Sequence, residues 1–143
     1  MKVIHVVAYS LALALVILLI YTIHNQVREY HLQDDPVLHT LKELLKPVHP
    51  IVDNIKLYKG DKSYTINKER IFLCLKDEHG EYYPINTLIY VLTHELSHMI
   101  NTYDVGHTDK FHEIFEQLLD RAVKLGIYNP SIPVPNNYCT YND

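Results

Sequence analysis

One five-residue stretch of the chain has the side chains, at the spacing, that commonly bind a metal ion. His94 and His98 stand four positions apart, and Glu95 directly follows the first, giving the pattern H-E-x-x-H. On a helix, residues four apart point the same way, so the two imidazoles can hold one ion. Zinc lowers the pKa of a bound water to about 7, and a neighbouring carboxylate such as Glu95 can take its proton. The pattern therefore predicts a zinc site suited to attack on a carbonyl.

A catalytic zinc site needs a third protein ligand and an open fourth position. The turn-rich segment 101–106 follows the motif, and His107 comes directly after Gly106. Because a short loop can aim this imidazole back toward the other two, position favours His107 over its competitors. Those competitors are Asp104, Asp109, His112, Glu113 and Glu116. His112 is the strongest of them by residue type, while Tyr103 is a candidate oxyanion donor by proximity alone.

Two amphipathic helices are expected to position these residues. The first is predicted from Pro84–Thr87 to about Ile100, with the motif inside it, and the second from Thr108, a good N-cap, to a stop at Gly126. The alternative to a metal site on these helices is a pair of exposed histidines and a solvated glutamate.

The remaining elements are predicted to be one short helix and three strands. The helix begins at Pro36 and ends before Pro47. The strands are expected at 51–58, 64–66 and 70–75, with turns at 59–62 and 77–80. No periodicity is visible after residue 129, so the C-terminal end is expected to be irregular.

The N-terminus predicts a membrane anchor. Residues 6–23 form an uncharged apolar run, and about 20 such residues span a bilayer core as a helix. A cleaved signal peptide is the alternative, but no A-x-A-like site follows the run. Lys2 on one side and Arg28 and Lys42 on the other leave the orientation open.

Charge and cysteine content narrow the function classes. The net charge is −4 and no cluster of Lys and Arg appears, so direct nucleic-acid binding is not expected. Two cysteines are too few for a Cys-rich zinc site. Cys74 lies in an apolar run and is expected to be buried, and its pairing with Cys139 in an oxidising compartment is left open.

The segment HELSHMINTYDVGHTDKFHEIF resembles the zinc-binding region of WLM and SprT-like metallopeptidases. In those families H-E-x-x-H is followed by a loop, a G-H or P-H pair and a downstream Phe, which correspond here to His94, Glu95, His98, Gly106, His107 and Phe111. The resemblance implies His107 as third ligand and a compact fold with a small sheet beside the active-site helix. It also implies that an edge strand, expected at 70–75, holds an extended substrate by β-augmentation. The anchor, the small size and the tail KLGIYNPSIPVPNNYC further resemble short metallopeptidase-like proteins of large DNA viruses.

The expected organisation is thus an α+β protein. A transmembrane anchor at 1–24 and a linker at 25–35 precede a zincin-like domain at 36–128 and an irregular tail at 129–143. In that domain a three-stranded sheet packs on the H-E-x-x-H helix and a second helix. The expected function is zinc-dependent hydrolysis of protein or peptide substrates at a membrane surface, with one Zn²⁺ held by His94, His98 and His107 and Glu95 as the base. The alternative is a non-catalytic, membrane-anchored module that binds zinc or has a structural role.

Overall fold

The N-terminal unit of the chain is a single long helix. A computed structural model of the protein describes residues 1–139, and the last four residues of the predicted tail lie outside that range. Helix α1 (Lys2–Gln33) forms most of a compact unit that ends at Leu32. It is long and apolar enough to cross a membrane, a test that a signal sequence also passes. The helix continues through most of the segment 25–35 that was expected to be a linker.

The second unit begins at Gln33 and is an α+β fold. Its helices are α2 (Pro36–Leu45), α3 (Ile85–Ile100) and α4 (Asp109–Lys124), and its strands are β1 (Lys56–Lys59), β2 (Tyr64–Ile66) and β3 (Arg70–Leu73). A 3-10 helix, Pro50–Asn54, precedes β1. The α+β class, the small three-stranded sheet and the three helices after the N-terminal segment agree with the sequence prediction.

The first half of the strand predicted at 51–58 is wrong, because residues 50–54 form the 3-10 helix. Pro50 takes its first position, and the Nδ1 atom of His49 accepts a hydrogen bond from the backbone N–H of Ile51 at 3.1 Å. Val52 and Ile55 are both buried. Residues three apart share a face of a 3-10 helix but lie on opposite faces of a strand, so this spacing, with the proline and its preceding cap, favours the helix.

The strand order is β1-β3-β2, which places β3 in the centre of the sheet. β3 pairs in parallel with β1 and antiparallel with β2. The expectation that the segment 70–75 forms an edge strand is therefore wrong. The edge strand on the antiparallel side is β2, which is joined to β3 by residues 67–69. Asn67 and Lys68 in this turn have left-handed backbone (φ 52° and 53°), as a type I′ hairpin turn requires.

Helix α3 is the centre of the second unit. It packs against β2 and β3, against α2, and against α4. Leu88, Leu92 and Leu96 repeat at helical spacing and are fully buried, and they join a core that includes Leu41 of α2 and Ile71 of β3. Because α3 is held on three sides, the side chains that it presents on its remaining face have a fixed position.

The ends of the helices follow the predicted signals. The side chain of Asp35 accepts a hydrogen bond from Val37 N–H at 2.9 Å before Pro36 opens α2. Thr108 caps α4 by accepting from Phe111 N–H at 3.3 Å. At the other end Gly126 has φ 72°, a left-handed conformation that stops the helix at low cost. The predicted N-cap and stop of α4 are thus confirmed.

Candidate metal centre

Three histidine side chains converge at one end of α3. The Nε2 atoms of His94 and His98 are 3.3 Å apart, those of His98 and His107 are 3.1 Å apart, and those of His107 and His94 are 3.0 Å apart. In a tetrahedral site with Zn–N distances of about 2.0–2.1 Å, ligand nitrogens are separated by about 3.3 Å. The three nitrogens therefore fit one metal ion, and they form the group of possible ligands found among the described residues.

The loop between α3 and α4 directs His107 toward the other two histidines. Gly106 has φ 92°, a conformation that side-chain-bearing residues rarely adopt, and it turns the chain immediately before His107. Asp104 stabilises the loop, since its Oδ1 atom accepts hydrogen bonds from Asn101 Nδ2 at 2.5 Å and from Thr108 Oγ1 at 2.7 Å. These hydrogen bonds, that of Thr108 first, lower the pKa of Asp104. Asp104 thus holds the loop in place, and it is not part of the convergent group.

The other residues considered as third ligand do not join the cluster. His112 and Glu113 are exposed on α4, and Glu113 forms an ion pair with Lys110. Tyr103 is 79% exposed and lies outside the cleft at the histidines, with the ammonium group of Lys110 over its ring. The structure thus brings His107, and not these residues, to His94 and His98.

The ring of Phe111 packs against all three imidazoles. It is fully buried, and its ring centroid is 4.9 Å from that of His94, 4.4 Å from that of His98 and 4.9 Å from that of His107. Phe115, one turn further along α4, contacts His94 with a centroid distance of 5.4 Å. The aromatic stripe of α4 therefore restricts the orientation of the rings and excludes water from one side of the cluster.

Burial makes His94 a neutral imidazole at neutral pH. Desolvation, followed by the neighbouring His98, His107 and His112, lowers the pKa of His94 to about 4. The pKa of His98 is also lowered, by burial and by His107. A neutral imidazole has a free lone pair, which is the form that binds a metal.

Glu95 is buried on the same helix and is held by the edge strand. The Oγ1 atom of Thr65 in β2 donates a hydrogen bond of 2.7 Å to Oε2 of Glu95. Burial raises the pKa of Glu95, opposed by the hydrogen bond from Thr65 and by His107. A raised pKa brings a carboxyl group closer to the range in which a general base works at neutral pH. The sequence does not reveal Thr65, because it lies 30 positions from its partner and no local spacing relates the two.

An open cleft of about 660 Å³ lies over the histidines and Glu95. One wall is β2 with the turn that follows it, including Thr65 and Lys68, and the other is the loop that carries His107. The Nζ atom of Lys68 donates to the backbone oxygen of Asn101 at 2.9 Å, so the turn and the end of α3 are tied together. A cleft bordered by an edge strand on one side can accept an extended chain.

The C-terminal segment returns to the sheet through a disulfide. Cys139 is bonded to Cys74, with a Cα–Cα distance of 6.3 Å. The sequence left this pairing open, because the two cysteines are 65 positions apart and the intervening chain sets no distance between them. Both cysteines are buried, as was expected for Cys74.

Comparison with known proteins finds relatives in viruses. The chain is 48% identical over 92 residues to the uncharacterized protein 136R of Invertebrate iridescent virus 6, which covers 62% of this chain and 51% of that protein. It is 42% identical over 103 residues to the uncharacterized protein 042R of Invertebrate iridescent virus 3, covering 68% and 64%. With the uncharacterized protein R325 of Acanthamoeba polyphaga mimivirus it shares 37% over 68 residues, covering 46% and 34%. The chain thus spans less than two thirds of the length of each of these relatives. No family model and no solved structure matches it.

Proposed function

We propose that the chain is a zinc-dependent metalloendopeptidase of the zincin type, related to the WLM and SprT-like families and held at a membrane surface by α1. The observation that carries the proposal is the convergence of three Nε2 atoms at 3.0–3.3 Å beside a buried carboxylate. When bound, zinc supplies Lewis acidity and makes a water more acidic. His94, His98 and His107 are the residues that would hold it.

Glu95 acts as the proton acceptor in this proposal. The Oε2 atom of Glu95 accepts a hydrogen bond from Thr65, and in this proposal Oε1 would take the proton from the attacking water. After the attack, the same carboxylate returns the proton to the leaving amine, because one group at the scissile bond can serve in both directions. Burial of Glu95 supports this role, since a partly desolvated carboxylate is the stronger base.

The substrate is proposed to be a peptide in extended conformation that pairs with β2. This strand is on the edge of the sheet and borders the cleft. A peptide that added to it would place successive side chains alternately toward and away from the cleft. The sequence resemblance implied substrate binding of this kind at an edge strand. The proposal names β2 and not 70–75, because β2 is at an edge of the sheet and β3 is in its centre.

A zinc measurement on the intact 143-residue chain in detergent tests the site. We expect about one zinc per chain in the wild type and a strong loss in His94→Ala, His98→Ala and His107→Ala, since three protein ligands are needed. His112→Ala is the matched control, because it removes an exposed histidine of the neighbouring helix, and it should retain the metal. A ratio near zero in the folded wild type would contradict a zinc site of any kind.

Cleavage of casein or a peptide mixture tests the chemistry. We expect Glu95→Gln to retain zinc and to lower kcat by about 10²- to 10⁴-fold, the usual contribution of a general base. Glu116→Gln, an exposed position on α4, should leave kcat unchanged. Full activity in Glu95→Gln would exclude Glu95 as the base. A zinc-loaded wild type that cleaves nothing would favour the alternative, a non-catalytic zinc-binding or structural module at the membrane.

A further inference from the structure

A positive charge lies in the main cleft, on the turn that follows β2. Lys68 is an exposed residue of this turn and lines the cleft together with Asn67. Its ammonium group donates a hydrogen bond to the backbone oxygen of Asn101 at 2.9 Å. No ion pair joins it to a carboxylate of the described residues 1–139. Since an ammonium group has three N–H donors, Lys68 can bind a further acceptor in the cleft and keep its bond to Asn101.

The backbone of this turn disfavours a lysine. Asn67 and Lys68 have φ 52° and 53°, and the backbone N–H of Glu69 donates to the oxygen of Ile66 at 3.2 Å, which closes a type I′ turn. Asn suits the first central position of such a turn and Gly suits the second, where a Cβ atom costs stability. A side chain held in a strained conformation beside a cleft points to a function for that side chain.

Contacts between the hairpin and α3 give the distance of Lys68 from the proposed base. Thr65 contacts Glu95 and Lys68 contacts Asn101, so the chain from β2 into its turn runs along the cleft in the same direction as α3. Glu95 and Asn101 are six positions apart, which corresponds to a rise of about 9 Å in a helix. An extended peptide advances about 3.3 Å per residue, so Lys68 lies about three residues of substrate away from the scissile bond.

The carboxylates of the turn and of the cleft have other partners. Glu69, the residue after Lys68, forms an ion pair with Lys56 at 3.6 Å. The Oδ1 atom of Asp104 accepts two hydrogen bonds within its own loop, and Oε2 of Glu95 accepts one from β2. The charge of Lys68 is therefore not neutralised by an ion pair within the described chain, and it attracts an anionic group that enters the cleft.

We propose that Lys68 is a specificity-determining residue that binds a carboxylate of the substrate about three residues from the scissile bond. The inference rests on the proposed function and adds a substrate class to it, namely peptides that are acidic at the Lys68 end of the cleft. The carboxylate belongs to an Asp or Glu side chain or to the C-terminus of a peptide that ends there, since both present the same oxygens to an ammonium group.

The test uses the zinc-loaded, intact chain in detergent at low ionic strength, with matched peptides that differ at one position. We expect Asp or Glu about three residues from the cleaved bond to raise kcat/KM by about 2- to 5-fold over Asn or Gln, the range of an exposed ion pair. The preference should weaken in about 1 M salt, where the Debye length is about 3 Å. A preference among amidated peptides identifies a side chain as the carboxylate, and one for free acids over amides identifies the terminus.

Charge reversal separates recognition from a structural role of Lys68. Lys68→Glu should invert the preference, so that Lys or Arg at the same substrate position is favoured, whereas loss of a purely structural contact with Asn101 would slow the cleavage of all peptides alike. Lys68→Gly suits the left-handed turn, and it should retain zinc and the cleavage of neutral peptides and lose the preference. Lys124→Glu is the matched control, because it makes the same change of charge at an exposed position of α4 outside the cleft.

Cleavage by the wild type without a preference for acidic peptides would overturn the role of Lys68 and leave the proposed hydrolysis standing. A preference that persists in both Lys68 variants, or one that Lys124→Glu shifts as far as Lys68→Glu does, would also overturn it. If Lys68→Glu does not fold, as a loss of bound zinc would reveal, Lys68→Gly decides. A zinc-loaded wild type that cleaves no peptide would overturn both proposals together.

Discussion

Protonation of His94 links the candidate metal centre to the stability of the fold. Its pKa is lowered to about 4 in the folded chain, against an ordinary value of 6.5. Between these two values the unfolded chain binds more protons than the folded one, so the free energy of unfolding falls as the pH is lowered through this window. The lowered pKa of His98 acts in the same direction.

We therefore expect the zinc-free chain to lose stability as the pH falls from about 6.5 to about 4, and His94→Gln to lose less. The variant lacks the imidazole that resists protonation in the folded state. Urea unfolding of both proteins in the presence of a chelator, at pH 7.5 and pH 4.5, measures the difference. An identical pH dependence in the two proteins would show that His94 titrates alike in the folded and unfolded chain.

At the scale of single residues, the sequence predicts side chains that act through local spacing. His94, Glu95 and His98 lie within about one and a half turns of one helix, and His107 follows after a short loop. Their spacing along the sequence is therefore enough to predict them as candidate metal ligands and base. Thr65 makes its contact across 30 positions of sequence, and Tyr138 across 64. Such contacts depend on how the sheet and the C-terminal segment pack, which no spacing along the chain encodes.

The contact between β2 and α3 joins the edge strand to Glu95, the proposed general base. Thr65 donates its hydroxyl proton to Glu95, so the strand proposed to bind substrate also orients the carboxylate. Among the elements, the helices were predicted well because their caps and apolar stripes are local. The order of the strands and the 3-10 helix at Pro50–Asn54 were not, because short apolar runs carry no information about their partners.

Thr65→Val is expected to lower kcat by about 10- to 100-fold, the usual effect of removing a group that orients a ligand or base in a metal site. KM and bound zinc should stay near the wild-type values, because the backbone of β2 and the three histidines are unchanged. Thr65→Ser keeps the hydroxyl and should restore most of the activity. If the Ser variant were as impaired as the Val variant, the methyl group and its packing would matter and not the hydrogen bond.

At the scale of the whole molecule, the chain divides into two compact units, and a disulfide between Cys74 and Cys139 links distant parts of the second unit. The sequence predicts the long apolar helix from composition alone, but it cannot pair Cys74 with Cys139, because that requires the fold of everything between them. The disulfide closes a loop of 65 residues. In the chain-entropy account, a loop of that length contributes about 4 kcal/mol by restricting the unfolded chain.

Replacing both cysteines, as Cys74→Ala with Cys139→Ala, is accordingly expected to lower the free energy of unfolding by about 2–5 kcal/mol. Urea unfolding in detergent measures the change. The wild type with reductant is the matched control, since it loses the bond and keeps both sulfur atoms, and it should show most of the same loss. Equal stability of oxidised and reduced wild type would mean that the disulfide is not needed to hold the C-terminal segment. The hydrogen bonds of the Tyr138 hydroxyl with Cys74 O and Ser63 Oγ would then be sufficient.

The shortness of β2 has a consequence for self-association. An unpaired edge that can accept a peptide can in principle accept the same edge of another copy, which is a route to aggregation. β2 has three residues, and the left-handed pair Asn67 and Lys68 ends it, so it provides few backbone groups for a continuous ladder. A guest that pairs there must gain additional binding energy elsewhere, and a second copy of β2, without a segment that reaches the histidines, lacks that source.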